Sequence, residues 1–335
     1  MTTPSFTKAS SFGKPFPRFW HSEHFLKLAR TLRDHTAVFL LVVFIVVGAF
    51  SSDVFLTPRN LLNIMWAVSV LGVVALGQTV LLVTRNFDMS VASVIGLVGI
   101  VTVLAQLAGL GLVGSVAVGL LTGAVFGLIN GLLVVTTGAN PFLITLGTNA
   151  LAYAASLSLT HSKTLYTTVP AFNEIGRGKI FGVVNHSVII FIGLALALEF
   201  VMSRTVFGRS LYVTGLNATV GRLSGLNIRG AQFAAFILCG VTAALAGIII
   251  TARTGSTVGT AGAGYDFDSI IASVLGGTSL FGGRGGALRT VVGVLVLGVL
   301  NNLLILLNVP IDSQQIAKGL VFLAVVWADS LVRHV

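Results

Sequence analysis

Apolar residues fill the chain in long runs from Ala37 onward, broken by short polar or glycine-containing stretches. A helix needs roughly 20 apolar residues to cross a hydrocarbon core about 30 Å thick. Ten segments meet or approach that length, at 36–52, 61–84, 89–108, 112–135, 141–160, 187–203, 231–252, 267–281, 287–307 and 312–331. The eighth is short and glycine-rich, which leaves open a half-helix or a re-entrant segment buried by surrounding protein. The expected fold class is all-α, a polytopic membrane helical bundle of about ten transmembrane helices. Two connections are long: 160–186 is polar and 203–230 is basic. The others are short, so no connection has room for a soluble catalytic domain.

Composition agrees with this pattern. Charged residues make up 9% of the chain, where a soluble domain carries about 25%. The 39 glycines suit helices that pack closely in lipid, where no hydrophobic drive acts between them. A formal charge of +10 would point to nucleic acid in a soluble protein. Here the charges fall between apolar runs and record topology instead, so lipid is expected as a partner and nucleic acid is not. With the N-terminus inside, one side receives Lys8, Lys14, Arg18, Lys27, Arg30, Arg33, Arg85, Arg204, Arg209, Arg222, Arg229, Arg284, Arg289 and Arg333. The other receives Arg59, Lys163, Arg177, Lys179 and Arg253, a bias of fourteen to five. The positive-inside rule then places both termini in the cytoplasm. Residues 1–35 read as a basic cytoplasmic tail, residues 36–331 as the transmembrane domain and residues 332–335 as a cytoplasmic end. In the tail, Ser22 is positioned to cap a short interfacial helix with Phe25, Leu28, Ala29 and Leu32 on one face; a disordered basic tail is the alternative. No small-residue cleavage site follows the first apolar run, so a cleavable signal peptide is not expected. Cys239, the single cysteine, lies in an apolar run and reads as a packing residue.

Candidate chemistry is sparse. Asn217 is a good N-cap and Gly225 a good residue to follow a helix end, which predicts a short helix over 218–224. A helix of about two turns is unstable alone in water and persists only when packed. Val220 and Leu223 offer apolar contact and Arg222 a charge. Asn217, Ala218, Thr219, Val220, Arg222, Leu223, Ser224 and Gly225 therefore form a candidate docking element for a soluble partner; an ordinary basic loop is the plainer reading. Arg85, Asp88, Ser90, Gly276, Gly277, Gly282 and Gly283 are structural or gating candidates. Asp88 sits where a carboxylate caps helix amides and favours the helix dipole, with a contact to Arg85 as the sharper alternative. The tract 276–286 lacks the order of a phosphate-binding loop and reads as a tight turn for close packing. Buried polar groups are costly in lipid and often functional. Gln78, Thr79, Asn130, Thr145, Asn149, Asn301 and Asn302 are thus path candidates for a neutral polar solute, with interhelical hydrogen bonding as the alternative for each asparagine. Lys318, inside the last apolar run, is a further intramembrane candidate, with snorkelling to an interface as the plainer reading. Residues 127–133 echo residues 298–304, each followed by a proline, Pro141 and Pro310. The two lie on segments of opposite direction, as an inverted repeat requires; chance is the rival.

Several of these motifs, in order, resemble permeases of ATP-binding-cassette (ABC) importers of the ribose and simple-sugar family. They are Leu76-Gly77-Gln78-Thr79, Asp88-Met89-Ser90-Val91, Asn130-Gly131-Leu132-Leu133, the stretch 141–148, Gly208-Arg209, Arg222-Leu223-Ser224-Gly225, Ala244-Leu245-Ala246-Gly247, the tract 276–285 and Asn301-Asn302. The resemblance covers nearly the whole chain after the tail. It implies a bundle similar to vitamin B12 importer permeases, with inverted repeats, in a bacterial cytoplasmic membrane. It implies three kinds of partner: a second permease chain, identical or not; a cytosolic ATPase that docks near Asn217–Gly225; and a periplasmic or lipid-anchored sugar-binding protein. ATP and magnesium would be held by the ATPase, and the chain itself would need no cofactor or metal and do no covalent chemistry. Arg85-Asn86-Phe87 stands where the family usually has Gly-Gly, and Ala92 where it usually has Gly. The Arg-Asn variant resembles branches handling autoinducer-2 or deoxy sugars such as rhamnose, so the solute stays open. The rival class is an ion-coupled secondary transporter. Against it, Asp88, Asp266, Asp268 and Asp329 lie near segment ends, leaving Glu199 as the main exception. A membrane enzyme has no His-rich cluster or paired carboxylates to support it.

Overall fold

Helix formation follows the apolar runs closely. The computed structural model describes residues 23–333, and the side chains of residues 36–321 and Leu323. Within it lie α1 (Glu23–Ser51), α2 (Pro58–Val83), α3 (Val91–Leu107), α4 (Gly111–Thr137), α5 (Pro141–Thr160), α6 (Pro170–Arg177), α7 (His186–Arg204), α8 (Val206–Leu223), α9 (Ile228–Thr254), α10 (Tyr265–Leu275), α11 (Ala287–Leu306) and α12 (Ile311–Arg333). Six of these, α2, α4, α5, α7, α9 and α11, are long and apolar enough to cross a membrane. Local chemistry sets their ends. Thr57 and Asn140 cap α2 and α5 just ahead of Pro58 and Pro141, where the missing proline N–H costs nothing. Gly138 and Gly255, at φ 68° and 75°, close α4 and α9 in the left-handed conformation.

The expectation of an all-α bundle needs one small amendment. Four two-residue strands lie on one side: β1 (Leu165–Tyr166) pairs antiparallel with β4 (Ser256–Thr257), and β2 (Lys179–Ile180) with β3 (Val184–Asn185). This is called the β side below, and the end carrying α8 the α8 side. Glycine lets α4 and α9 touch backbone to backbone. A Cβ on Gly123 would strike the Gly240 carbonyl, and one on Gly127 the Phe236 carbonyl. α2 and α3 fill the centre of the bundle, with Leu76, Leu81, Ile95 and Ile100 fully buried. On the β side Arg253 stacks on Trp66 at 3.6 Å, and Trp66 Nε1 donates to the Gly176 carbonyl, holding α6 in place.

Three sequence expectations change. The helix expected after Ser22 is not separate from the first span, because α1 runs unbroken from Glu23 to Ser51; Ser22 and the rest of residues 1–22 lie outside the described residues, as do residues 334–335. The basic connection 203–230 is not a loop around a two-turn helix: α8 begins at Val206 and holds most of it. The eighth segment, expected at 267–281, is helical only to Leu275. Gly277 turns left-handed there, at φ 92°. Eleven residues rise only about 17 Å. Ahead of α10, residues 258–264 run irregularly along α3. A Cβ on Gly96 would strike the Gly259 carbonyl, and one on Gly262 the Ala92 carbonyl. The chain thus moves from β4 toward the α8 end of α3 before α10 starts. This path is invisible to hydropathy because Val258–Gly264 is built of small and polar residues.

Candidate functional site

The docking element and the glycine tract meet on the α8 side. Thr205 caps α8 by accepting from the Gly208 amide at 3.0 Å. The helix then breaks at Asn217, whose φ −159° and ψ 96° are extended. Asn217 Oδ1 accepts from the Thr219 and Val220 amides at 3.0 and 3.1 Å, capping a second, short helix. That helix ends where Gly225, at φ 76°, lets its own amide reach the Arg222 carbonyl and the Leu226 amide the Gly221 carbonyl, both at 3.0 Å. Arg222 donates to Thr219 Oγ1 at 3.2 Å, and Leu223 is 84% exposed. Residues 217–225 thus form a capped projection with a free apolar tip. A groove of about 370 Å³ runs beside it, lined by Val206, Phe207, Ser210, Leu226 and Asn227.

The first half of α8 is clamped to the bundle. The Gly283 amide donates to the Val83 carbonyl at 2.9 Å. Gly215 lies so close that a Cβ would strike both the Val83 carbonyl and the Gly283 amide. Arg85 donates to the Leu216 carbonyl at 3.3 Å, one residue before the kink. Tyr212 donates its hydroxyl to the Gly285 carbonyl at 2.9 Å. Burial raises the Tyr212 phenol above its ordinary value, with Glu199 adding to the shift and Arg289 opposing it, which keeps the donor protonated. Gly277, Gly282 and Gly283 all have left-handed φ, and a Cβ on Gly276 would strike the Arg289 carbonyl. The tract is therefore a tight turn, set directly under α8. Glu199, the carboxylate that sequence singled out as the exception open to an ion-coupled carrier, accepts from the Leu288 amide at 3.1 Å and caps α11.

Asp88 does not meet Arg85. It is buried, and its Oδ1 accepts from the Ser90 amide at 2.8 Å and the Ser90 hydroxyl at 2.6 Å. Its Oδ2 accepts from Asn130 Nδ2 at 3.0 Å. Asn130 also donates to Ser90 Oγ and accepts from the Thr148 hydroxyl. Gln78 pairs with the Asp88 backbone in both directions, Thr145 accepts from the Met89 amide, and Asn149 accepts from the Ser93 amide. Four of the seven path candidates, Gln78, Asn130, Thr145 and Asn149, are therefore drawn to the α2–α3 connection, while Thr79 joins a separate hydroxyl cluster with Ser273 and Thr290 between α2, α10 and α11. Asn302 exchanges two amide hydrogen bonds with Asn60 toward the β side, while Asn301 Oδ1 is buried with no partner among the described residues. The seven do not share one cavity.

Lys318 does not snorkel. Its Nζ lies 3.0 Å from Asp268 Oδ2, tying α12 to the first turn of α10. Sequence reasoning passed over this pair because its members are fifty residues apart; the signal was a lysine inside an apolar run. Among the described residues, no group of three or more His, Cys, Asp or Glu side chains could hold a metal ion.

A family model described as branched-chain amino acid transport system / permease component matches residues 60–326. The D-allose transport system permease protein of Escherichia coli is 33% identical over 298 residues, covering 89% of this chain and 91% of the relative. The ribose import permease protein of Escherichia coli is 35% identical over 303 residues, covering 89% and 94%. The autoinducer 2 import system permease protein of Yersinia pseudotuberculosis is 32% identical over 309 residues, covering 92% and 88%. No solved structure matches the chain.

Proposed function

Because the chain belongs to the family of branched-chain amino acid transport system permease components, we propose that it passes a monosaccharide or sugar-like solute through the membrane as part of an ABC importer. It is a multi-pass transport subunit rather than an enzyme. The observation that carries the sugar reading is its identity of about one-third, over nine-tenths of its length, to import permeases for ribose and allose.

The rest of the assembly follows from that reading. The α8 side is the cytoplasmic side of a bacterial inner membrane, since the basic residues Arg204, Arg209, Arg222 and Arg229 gather there. Two cytosolic ATPases hold ATP and magnesium and push on the projection 217–225. The clamp of Gly215, Arg85, Tyr212 and the glycine tract then transmits their motion to α2, α10 and α11. A periplasmic or lipid-anchored binding protein delivers the solute at the β side, and two permease chains enclose the path. Ten crossings fit this arrangement if residues 255–275 count as one broken crossing. The bundle is then of the vitamin-B12-importer kind, and the echo of Asn130 and Asn301 on oppositely running α4 and α11 supports an inverted repeat. Gln78, Thr79, Asn130, Thr145, Asn149, Asn301 and Asn302 are proposed to shape the path, chiefly by fixing the helices that line it.

One observation favours an ion-coupled carrier, the Asp268–Lys318 pair inside the bundle, because such carriers hold ionisable groups at membrane depth. Reconstitution with the cognate ATPase and binding protein separates the two. Uptake of labelled ribose, allose or a related sugar that requires ATP and is indifferent to ion gradients is expected. Uptake driven by a proton or sodium gradient without the ATPase would overturn the importer reading.

A further inference from the structure

The Asp268–Lys318 pair sits at half-height in the bundle. α10 runs antiparallel to α11, with Gly293 against the Ala272 carbonyl and Gly276 against Arg289. Continuing that register sets Asp268 opposite about residue 297 of α11. The next residue, Gly298, lies against Val68, close to the midpoint of α2 (Pro58–Val83). Neither charged side chain is fully covered: Lys318 is 12% exposed and Asp268 24%. The backbone beside them is uncovered too. Thr260, Ala263 and Gly264 in the irregular stretch are exposed, as is Phe267. On the other flank Gly259 packs on Ser156 and Tyr153 of α5, and Tyr153 is itself exposed.

Hydrocarbon cannot cover such a face. A charged side chain at the bilayer centre faces the protein interior or a water-filled cavity. Irregular backbone at membrane depth is tolerated under the same condition. Behind the stretch, the hydroxyls of Thr251 and Thr257, both beside Gly99, are buried with no partner among the described residues, as expected where water enters the structure. We propose that residues 260–264, the first turn of α10 and Lys318 line the aqueous solute path, and that Asp268 and Lys318 are the charged groups the solute meets. The solute class rests on the importer reading above. A carboxylate accepts from adjacent hydroxyls and an ammonium donates to them. Tyr153 and Phe267 offer apolar rings to the C–H faces of a sugar, so the set suits a polyhydroxylated solute.

The test uses the full complex in membrane vesicles. Cys239 is fully buried, so the unaltered chain supplies the blank for thiol labelling. Thr260→Cys and Phe267→Cys are compared with Leu121→Cys and Leu196→Cys, whose parent residues are 63% and 57% exposed on apolar helix faces. A water-soluble, membrane-impermeant thiol reagent is expected to label positions 260 and 267 at least about tenfold faster than 121 and 196. Equal rates would place the face against lipid or in a dry interface and overturn the path. In uptake assays Asp268→Asn and Lys318→Met are expected to raise the KM for sugar about tenfold or more, with Asp268→Glu recovering part of the loss. Unchanged KM in both variants would overturn the solute contact. If the Thr260→Cys and Phe267→Cys variants label rapidly yet the wild-type complex takes up no sugar, the path stands and the sugar reading falls.

Discussion

Asp88 shows how a buried carboxylate is made tolerable by its partners. Three donors converge on it, the Ser90 amide, the Ser90 hydroxyl and Asn130 Nδ2, and hydrogen bonds to a charged group are each worth about 1.5–3 kcal/mol. Asp88→Ala strands all three donors in a dry site. It is expected to lower stability by about 3 kcal/mol or more, read as a fall in the melting temperature of the detergent-solubilised protein. Asp88→Asn keeps an acceptor for Ser90 and should cost less; equal melting of the alanine variant and wild type would refute the stabilising role of these three bonds. That this carboxylate would accept from a nearby amide was legible in sequence, but the amide is that of Ser90, just ahead of α3, and not one of the helix itself. The Arg85 alternative was not, because at φ 64° the Arg85 backbone turns left-handed and its guanidinium reaches Leu216, on another element. Lys318 repeats the lesson: its partner lies fifty residues earlier, beyond any local pattern.

At the scale of the element, α8 is two helices joined at a hinge-like residue with different sources of stability. The 218–223 half depends on local signals, the Asn217 cap and the left-handed Gly225, and so it could be read from sequence. The half before Asn217 carries Gly208, Thr214 and Gly215, poor helix formers by propensity, and is held by tertiary contacts at Tyr212 and Gly215 instead. That is why a loop was expected there. Asn217→Ala removes the cap, worth about 1 kcal/mol, and should loosen only the projection. Under the docking proposal it weakens the stimulation of ATPase activity by loaded binding protein, while the chain still inserts. Arg222→Glu, or deletion of 218–224, is expected to go further and uncouple hydrolysis from uptake; normal transport by the deletion variant would refute docking. Gly215→Val probes the clamp from the other side, since its Cβ meets two backbone groups that cannot move aside cheaply. Loss of assembled complex, measured by co-purification of the ATPase, is the expected result.

For the whole molecule, the stretch 255–275 decides the topology. Hydropathy finds one short segment there, because small and polar residues before Tyr265 carry no apolar signal. The packing tells more: Thr257 lies beside Gly99, Gly262 beside Ala92, and Gly283 hydrogen-bonds to Val83 at the far end of α2. The chain therefore passes from the β side to the α8 side, partly as bare backbone and partly as α10. A discontinuous helix of this kind is where transporters concentrate their binding groups. This gives a discriminating measurement. If 255–275 crosses, α11 starts on the α8 side and α12 returns there, so the C-terminus shares a face with Leu223. If it only dips and returns, the C-terminus shares a face with Phe181, in the turn between β2 and β3. Both reference residues are well exposed, 84% and 97%. In sealed right-side-out vesicles Phe181→Cys is expected to react with an impermeant thiol reagent, whereas Leu223→Cys and a C-terminal protease-cleavable tag should both wait for permeabilisation. A tag cleaved from outside while Leu223→Cys stays protected would show that the broken stretch does not cross. The transmission proposed from the ATPase through the clamp to α10 would then lose the element that joins the ATPase side to the solute path.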